Sequence, residues 1–149
     1  MKSKFAAYRD RDELLKKMGF SSYKDYLASD LWGRIRRQVL ARSRAVCEVC
    51  GVATATQIHH RSYCYAALAG YHNAYLVACC ADCHKNAEFA GRSKTTVREA
   101  NKRMATSALS SGRVLFGLCA SCRGNPVGAG KTLCGRCVRE GRRPDPRVG

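Results

Sequence analysis

Eight of the ten cysteines in this 149-residue chain fall into four pairs with the spacing C-x2-C. The pairs are Cys47 and Cys50, Cys80 and Cys83, Cys119 and Cys122, and Cys134 and Cys137. Two thiolates at this spacing on a tight turn bind one side of a tetrahedral ion, and a second pair completes the coordination. The first two pairs have 29 residues between them, enough for a β-hairpin, and the last two have 11, enough for a small loop. The spacing predicts two structural Zn²⁺ sites, which stabilise modules too small for a large apolar core.

The start of the chain and its hydropathy bear on whether these cysteines bind metal or form disulfides. The opening MKSKFAAYRDRDELLKKMGF has basic residues but no apolar run behind them, which predicts no signal peptide. No stretch approaches the ~20 apolar residues of a membrane span. We therefore expect a cytoplasmic protein, in which cysteine pairs favour metal over disulfide bonds. Cys64 and Cys79 are expected to be small buried apolar residues, although Cys79 beside Cys80 leaves the register of the second pair open.

The net charge of +16 is unevenly distributed along the chain. Residues 1–46 carry 12 Lys and Arg against 5 Asp and Glu, and residues 85–149 carry 14 against 4. Residues 47–84 are nearly neutral and hold all four histidines. Two basic arms around a neutral centre predict a polyanionic partner, because Lys and Arg neutralise phosphates and release counterions. A solvated basic surface without such a partner is the alternative.

The apolar pattern predicts helices first, then two strands and another helix. The segment SDLWGRIRRQVLARS is the strongest helix, since Leu31, Ile35 and Val39 share one face. Arg34 and Arg37 lie mostly on the opposite face, where they either contact phosphates or are merely solvated. Farther along, TATQIHH and AYLVACC have the composition of paired strands, and ADCHKNAEFAGRS follows as a helix. The predicted fold class is α+β.

The histidines lie in the same segment as the first two cysteine pairs, which can bind zinc without them. The first four cysteines already supply four ligands, so His59, His60 and His84 are free for another task. His84 begins the predicted helix, and Glu88 lies one turn later on the same face. Neighbouring residues of a strand point to opposite faces, so either one of His59 and His60 is idle or the strand bends to aim both at one place. Such a cluster can bind a second, incompletely coordinated metal and leave an imidazole as a base.

The order C-x2-C, then HH, then C-x2-C-H resembles the HNH endonuclease family over about residues 26–90. The upstream segment YLASDLWGRIRRQVLARSRAVCEVCG is similar to the helix that precedes the nuclease core in phage and bacterial members. The resemblance implies a β-hairpin and helix around one catalytic metal, the ββα-metal fold. It also implies hydrolysis of DNA phosphodiester bonds in a bacterial cytoplasm or a phage-infected cell, without a membrane or small-molecule cofactor.

The resemblance also implies a role for each residue of the cluster. His59 and His84 would be metal ligands, and His60 would be the general base that takes a proton from the attacking water. Glu88 stands where some members place another histidine ligand. The catalytic ion would be Mg²⁺, Mn²⁺, Ni²⁺ or Zn²⁺, and it would stabilise the charge that develops on the phosphate.

The middle asparagine of the HNH pattern is displaced in this chain. Tyr75 stands where the family usually has the Asn that holds the loop of the base in shape, and Asn73 lies two residues earlier. Either Asn73 takes over that task through a shift of the loop, or the position is lost. The DNA contacts expected from the basic surface are Arg34, Arg37, Arg61 and Lys85.

The predicted organisation has five parts. These are a basic helical region 1–46, a nuclease core 47–92, a helical linker 93–112, a module 113–143 that resembles a zinc ribbon, and a disordered tail 144–149. The alternative function is that of a non-catalytic zinc-finger protein that binds nucleic acid. The cysteine pairs and arginines fit both functions, whereas a protein that only binds has no use for the histidine cluster.

Overall fold

The computed structural model describes residues 5–119, 121–122, 127 and 133–144. Within these ranges α-helices combine with two small antiparallel sheets, which confirms the predicted α+β class. The helices are α1 (Ala6–Lys17), α2 (Tyr23–Leu27), α3 (Asp30–Arg42), α4 (Tyr65–Leu68), α5 (Ala81–Glu88), α6 (Val97–Ser110) and α7 (Gly135–Arg139). The strands are β1 (Gln57–His60), β2 (Leu76–Cys79), β3 (Phe89–Ala90) and β4 (Ser93–Lys94), and a 3-10 turn covers Asn73–Tyr75. No helix in the described ranges has the length and apolar character needed to cross a bilayer.

Helix α3 has the two faces that its sequence predicts. The hydroxyl of Ser29 caps the helix by accepting from the backbone N–H of Trp32. Ile35 and Val39 are buried, whereas Arg34 and Arg37 are exposed. The apolar face packs with α1 and α2, and this packing covers one side of the central hairpin.

The hairpin of β1 and β2 separates two apolar clusters. The strands pair antiparallel, with His60 opposite Leu76 and His59 opposite Val77. Because side chains alternate along a strand, Leu76 packs into the cluster of α1, α2 and α3, and Val77 packs into the cluster of α5 and α6. Every residue of β2 is buried, since both faces are covered.

Helix α6, within the segment predicted to be a helical linker, packs against the central unit. Its small and flexible residues Ala100, Met104 and Ala108 recur every four positions and are buried against α5 and the hairpin. A capping box between Thr96 and Glu99 fixes its first turn. The helix over this segment is confirmed, but alanines make a face that sequence hydropathy underestimates. The domain boundaries remain predictions.

A guanidinium–carboxylate pair joins α3 to the first cysteine pair and to β2. Arg42 binds both carboxylate oxygens of Glu48, at 2.9 and 2.7 Å. Glu48 also accepts from the backbone N–H of Ala78, and Arg42 donates to the carbonyls of Asn73 and Leu76. The pair is largely buried, with 17% and 11% of the two side chains exposed. It therefore holds three separate segments at one point.

The segment before the third cysteine pair is docked on the same unit. Leu115 and Leu118 are buried in the cluster of α5 and α6. Gly117 has φ +69° and lies so close to Ala74 that a Cβ would clash with it, so glycine is required there. The module 113–143 thus begins in contact with the hairpin. Most of the loop between its cysteine pairs, and residues 145–149 of the tail predicted to be disordered, lie outside the described residues.

Replacing Glu48 with Ala should lower the free energy of unfolding by about 3 kcal/mol, because the charge of Arg42 and the N–H of Ala78 would both lose their partner. Thermal and urea unfolding of the zinc-loaded protein measure this loss. Glu13→Ala, at an exposed position on α1, is the matched control and should change stability little. An equal effect of the two substitutions would refute the structural role of the Arg42–Glu48 pair.

Candidate metal centres and the histidine cluster

The first cysteine tetrad joins the two segments that flank the hairpin. The sulfur atoms of Cys47, Cys50, Cys80 and Cys83 all lie within 4.8 Å of one another. Backbone N–H groups of Cys50, Ala53 and Cys83 point at the sulfurs of Cys47, Cys50 and Cys80, each at 3.5 Å. Such donors favour thiolates, and the N–H groups of Ala53 and Val52 lower the pKa of Cys50 to about 7. This tetrad could hold a structural zinc ion.

The register of the second pair is resolved in favour of Cys80. Cys79 ends β2 and is fully buried in the apolar cluster, as expected for a leftover cysteine. Cys80 stands at the N-cap of α5, where its sulfur accepts from the N–H of Cys83.

The second tetrad is the centre of the C-terminal module. Cys119, Cys122, Cys134 and Cys137 have their sulfurs within 4.8 Å of one another. In the described part of the module the buried cluster consists of three of these cysteines and Val127. Such a cluster buries little apolar area, so we expect the stability of the module to come from a bound ion. This tetrad could hold a second structural zinc ion.

A third group combines two imidazoles and a carboxylate. His59 from β1 and His84 and Glu88 from α5 offer ligand atoms that all lie within 4.8 Å of one another. The rings of the two histidines are 5.6 Å apart, and His84 Nε2 is 3.4 Å from a carboxylate oxygen of Glu88. His59 is buried, whereas 22% of the His84 side chain and 23% of the Glu88 side chain are exposed. The group is therefore partly open to solvent on the side of His84 and Glu88.

The hydrogen bonds of His59 show which ring nitrogen is available to a cation. Asn101 of α6 donates from Nδ2 to the carbonyl of Arg61, and a carbonyl can only accept. The Oδ1 of Asn101 must therefore be the atom that faces His59. Oδ1 lies 2.9 Å from His59 Nε2, so Nε2 carries the hydrogen. Nδ1 therefore has the lone pair, and it is buried without a hydrogen-bond partner among the described residues. Burial also lowers the pKa of His59 to about 4, which keeps the ring neutral, as a metal ligand must be.

The surroundings of His84 and Glu88 complete the donor set. The side-chain oxygen of Gln57 lies beside His84 Nδ1, so this nitrogen donates and Nε2 is left facing Glu88. The contact with His84 lowers the pKa of Glu88, so the carboxylate is ionised. Two imidazoles and one carboxylate are a suitable donor set for Zn²⁺, Ni²⁺ or Mn²⁺. The residues present therefore fit a divalent ion.

His60 does not join this cluster, so of the two arrangements open to the neighbouring histidines the structure has the one in which they point to different faces. Strand β1 pairs regularly up to His60, so His60 points to the opposite face from His59. Its ring is stacked between Trp32 and Tyr63, at 5.0 and 5.1 Å, and only 4% of the residue is exposed. Burial lowers the pKa of His60 to about 3, and Nε2 is buried without a partner in the part of the chain described.

The remaining predicted residues are divided between the surface and the interior. Arg34, Arg37 and Lys85 are exposed and available to a partner. Arg61 is only 7% exposed and donates to the carbonyl of Phe116, so it lies in the interior, and its contact with DNA stays a prediction. The side-chain oxygen of Asn73 is buried and has no partner among the described residues. The carbonyl of Asn73 accepts from Arg42, so the backbone of this loop is held by Arg42.

Three groups near the cluster were not predicted from the sequence. Asn101 and Gln57 each place an oxygen against a ligand histidine, and Arg11 of α1 lies 3.9 Å above the ring of Tyr23, beside Tyr63. Asn101 is 42 residues from His59, and its position depends on the packing of α6. Gln57 could have been predicted from the sequence, since alternation along β1 places it on the same face as His59.

Comparison with known proteins gives no match. No protein-family model, curated protein or solved structure matches the chain.

The single substitutions Cys83→Ser and Cys137→Ser should each reduce bound zinc from two ions per chain to one, since each breaks one tetrad. Native mass spectrometry counts the ions. Cys83→Ser should also unfold the central unit, because metal binding and folding are coupled, whereas Cys137→Ser should leave the hairpin and α1 to α6 intact by circular dichroism and amide exchange. Cys64→Ser, outside both tetrads, is the control and should retain both ions; retention of two ions by Cys83→Ser would contradict the assignment.

Proposed function

We propose that the protein is a metal-dependent endonuclease of the HNH type that hydrolyses DNA phosphodiester bonds. The observation that supports this best is the cluster of His59, His84 and Glu88, presented by a hairpin and the following helix beside a separate cysteine tetrad. These are the residues to which the sequence resemblance assigns the catalytic ion. A structural zinc protein has no evident need for a second, partly open donor set next to a complete one.

The chain's own residues would act as follows in this reaction. His59 Nδ1, His84 Nε2 and Glu88 would hold a divalent ion, which when bound polarises the phosphate and stabilises the charge that develops there. Gln57 and Asn101 orient the two rings through their side-chain oxygens. The exposed edge of His84 and Glu88 is the side from which a phosphodiester can approach, and exposed Lys85 follows His84 directly.

His60 is the proposed proton acceptor, and its enclosure adds a condition to that role. It is the residue next to His59, and its Nε2 has no partner within the described ranges. In the present conformation Trp32 and Tyr63 cover its two faces. His60 points to the opposite face of β1 from His59, so for it to reach a water at the ion the end of β1 must turn and the side formed by Tyr63 must open when DNA binds.

A non-catalytic protein that binds nucleic acid is the second candidate. The stacking of His60 between Trp32 and Tyr63 favours it, because a buried imidazole in that position also serves as an aromatic core residue. Both candidates use the same basic surface, so binding of DNA alone does not separate them. Cleavage does.

Incubation of the zinc-loaded protein with supercoiled DNA and Mg²⁺, Mn²⁺, Ni²⁺ or Zn²⁺ should yield nicked or linear product. His60→Phe keeps a ring between Trp32 and Tyr63 but removes both nitrogens, and it should slow cleavage at least ~100-fold, the usual contribution of a general base. His84→Ala should abolish cleavage. His72→Ala, in a loop outside the cluster, is the matched control and should cut normally.

The outcomes of this experiment separate the two candidates. Full activity of His60→Phe would remove His60 as the base and leave the metal cluster as the active centre. Absence of cleavage by the unaltered protein with all four ions, together with retained DNA binding, would favour the non-catalytic function.

The double substitution Arg34→Ala and Arg37→Ala should weaken DNA binding and reduce the slope of log affinity against log salt by about 2, because each exposed arginine would contribute one phosphate contact. Fluorescence anisotropy at several salt concentrations measures the slope. Gln38→Ala, at an exposed neutral position on the same helix, should leave it unchanged. An unchanged slope in the double variant would mean that α3 does not face the DNA.

A further inference from the structure

Asn101 connects helix α6 to both the first metal ligand and the backbone beyond it. Its Oδ1 is 2.9 Å from His59 Nε2, and its Nδ2 is 2.8 Å from the carbonyl oxygen of Arg61. The N–H of Arg61 donates to the carbonyl of Tyr75. The backbone immediately after His60 is therefore held on one side by the hairpin partner and on the other by Asn101.

We propose that Asn101 is a positioning residue that fixes the tautomer and ring orientation of His59 and thereby sets the affinity of the cluster for a divalent cation. The inference rests on the proposed function in one respect, namely that the cluster binds such an ion. The geometry is specific because only one orientation of the amide satisfies the Arg61 carbonyl. That orientation places an acceptor at Nε2 and so leaves the lone pair on Nδ1, which is buried without a hydrogen-bond partner among the described residues.

The position of Asn101 is fixed by the packing of its own helix. Ala100 precedes it and Met104 lies one turn later, and both are buried against the unit that carries α5. Thr96 caps the helix less than two turns earlier. A side chain that orients a metal ligand acts best from a rigid element. Its own conformation is then already fixed, so its hydrogen bond restricts the ligand ring at little further cost in conformational entropy. A hydrogen bond from a loop side chain would restrict His59 less.

Gln57 stands in the same relation to His84. Its side-chain oxygen faces His84 Nδ1, and Nε2 lies 3.4 Å from a carboxylate oxygen of Glu88. Each of the two histidines thus has an amide oxygen against one ring nitrogen. This parallel supports a positioning role, because each amide fixes which nitrogen of the ring remains for a cation.

The first experiment measures cation affinity directly. Mn²⁺ is titrated into zinc-loaded protein, and free Mn²⁺ is followed by electron paramagnetic resonance. Asn101→Leu keeps the approximate shape but removes both hydrogen bonds, and it should weaken Mn²⁺ binding about 10- to 100-fold, as loss of such outer partners does. Asn101→Asp keeps an acceptor for His59 and should bind more tightly than Asn101→Leu. Lys102→Leu, exposed on the same helix, is the control and should match the unaltered protein.

The second experiment measures the tautomer, which a purely structural role would not change. Two-bond ¹H–¹⁵N correlation spectra of the zinc-loaded protein without Mn²⁺ should show His59 protonated at Nε2. Asn101→Leu should give a mixture of both tautomers. Zinc content and thermal unfolding are recorded for every variant, so that a global loss of structure is recognised. If Asn101→Leu fails to fold, two measurements still test the role of Asn101: the tautomer of His59 in the unaltered protein and the Mn²⁺ affinity of Asn101→Asp.

The results distinguish this inference from the proposed function. A His59 protonated at Nδ1, or Mn²⁺ affinity in Asn101→Leu equal to that of the unaltered protein, would overturn the role of Asn101 while the metal site stands. If the unaltered protein does not bind Mn²⁺, or if His84→Ala does not weaken that binding, the metal site itself is overturned, and the positioning role with it.

Discussion

The tetrad of Cys47, Cys50, Cys80 and Cys83 is the constraint on which the rest of the structure depends. It closes a long segment of chain and fixes the start of α5 beside the beginning of the hairpin. Strands of four residues cannot hold that arrangement by their own hydrogen bonds. The apolar clusters on the two faces of the hairpin and the Arg42–Glu48 pair stabilise the same junction. The histidine cluster forms because one ligand comes from the hairpin and two come from the helix that the tetrad anchors.

The regular alternation of β1 divides two neighbouring histidines between different environments. His59 faces α5 and α6, where polar partners orient it, and His60 faces α3, where aromatic rings enclose it. Both rings are neutral, because burial lowers the pKa of each. Each ring has one buried nitrogen without a hydrogen-bond partner in the described structure, Nδ1 in His59 and Nε2 in His60.

Local patterns predicted the features that depend on local spacing. The cysteine pairs, the amphipathic α3 and the α5 face shared by His84 and Glu88 all follow from fixed periods of two, three or four residues. The features that were missed depend on long-range packing. Asn101 reaches His59 only because an alanine-rich face docks α6 on α5, and Arg61 is buried only because the chain returns at Phe116. The sequence left open whether His59 and His60 share a site, and that too depends on packing, because the aromatic residues of the N-terminal helices enclose His60 on the face opposite His59.

The central claim is that His59, His84 and Glu88 form a cation site distinct from the two zinc tetrads. Crystals of the zinc-loaded protein soaked in Mn²⁺ test it most directly, through anomalous scattering recorded at the zinc and manganese edges. We expect zinc peaks within the two cysteine tetrads and a separate manganese peak bonded to His59 Nδ1, His84 Nε2 and a carboxylate oxygen of Glu88. Zinc in both tetrads with no manganese at the histidines, or a manganese ion bound through His59 Nε2 after displacement of Asn101, would contradict the account.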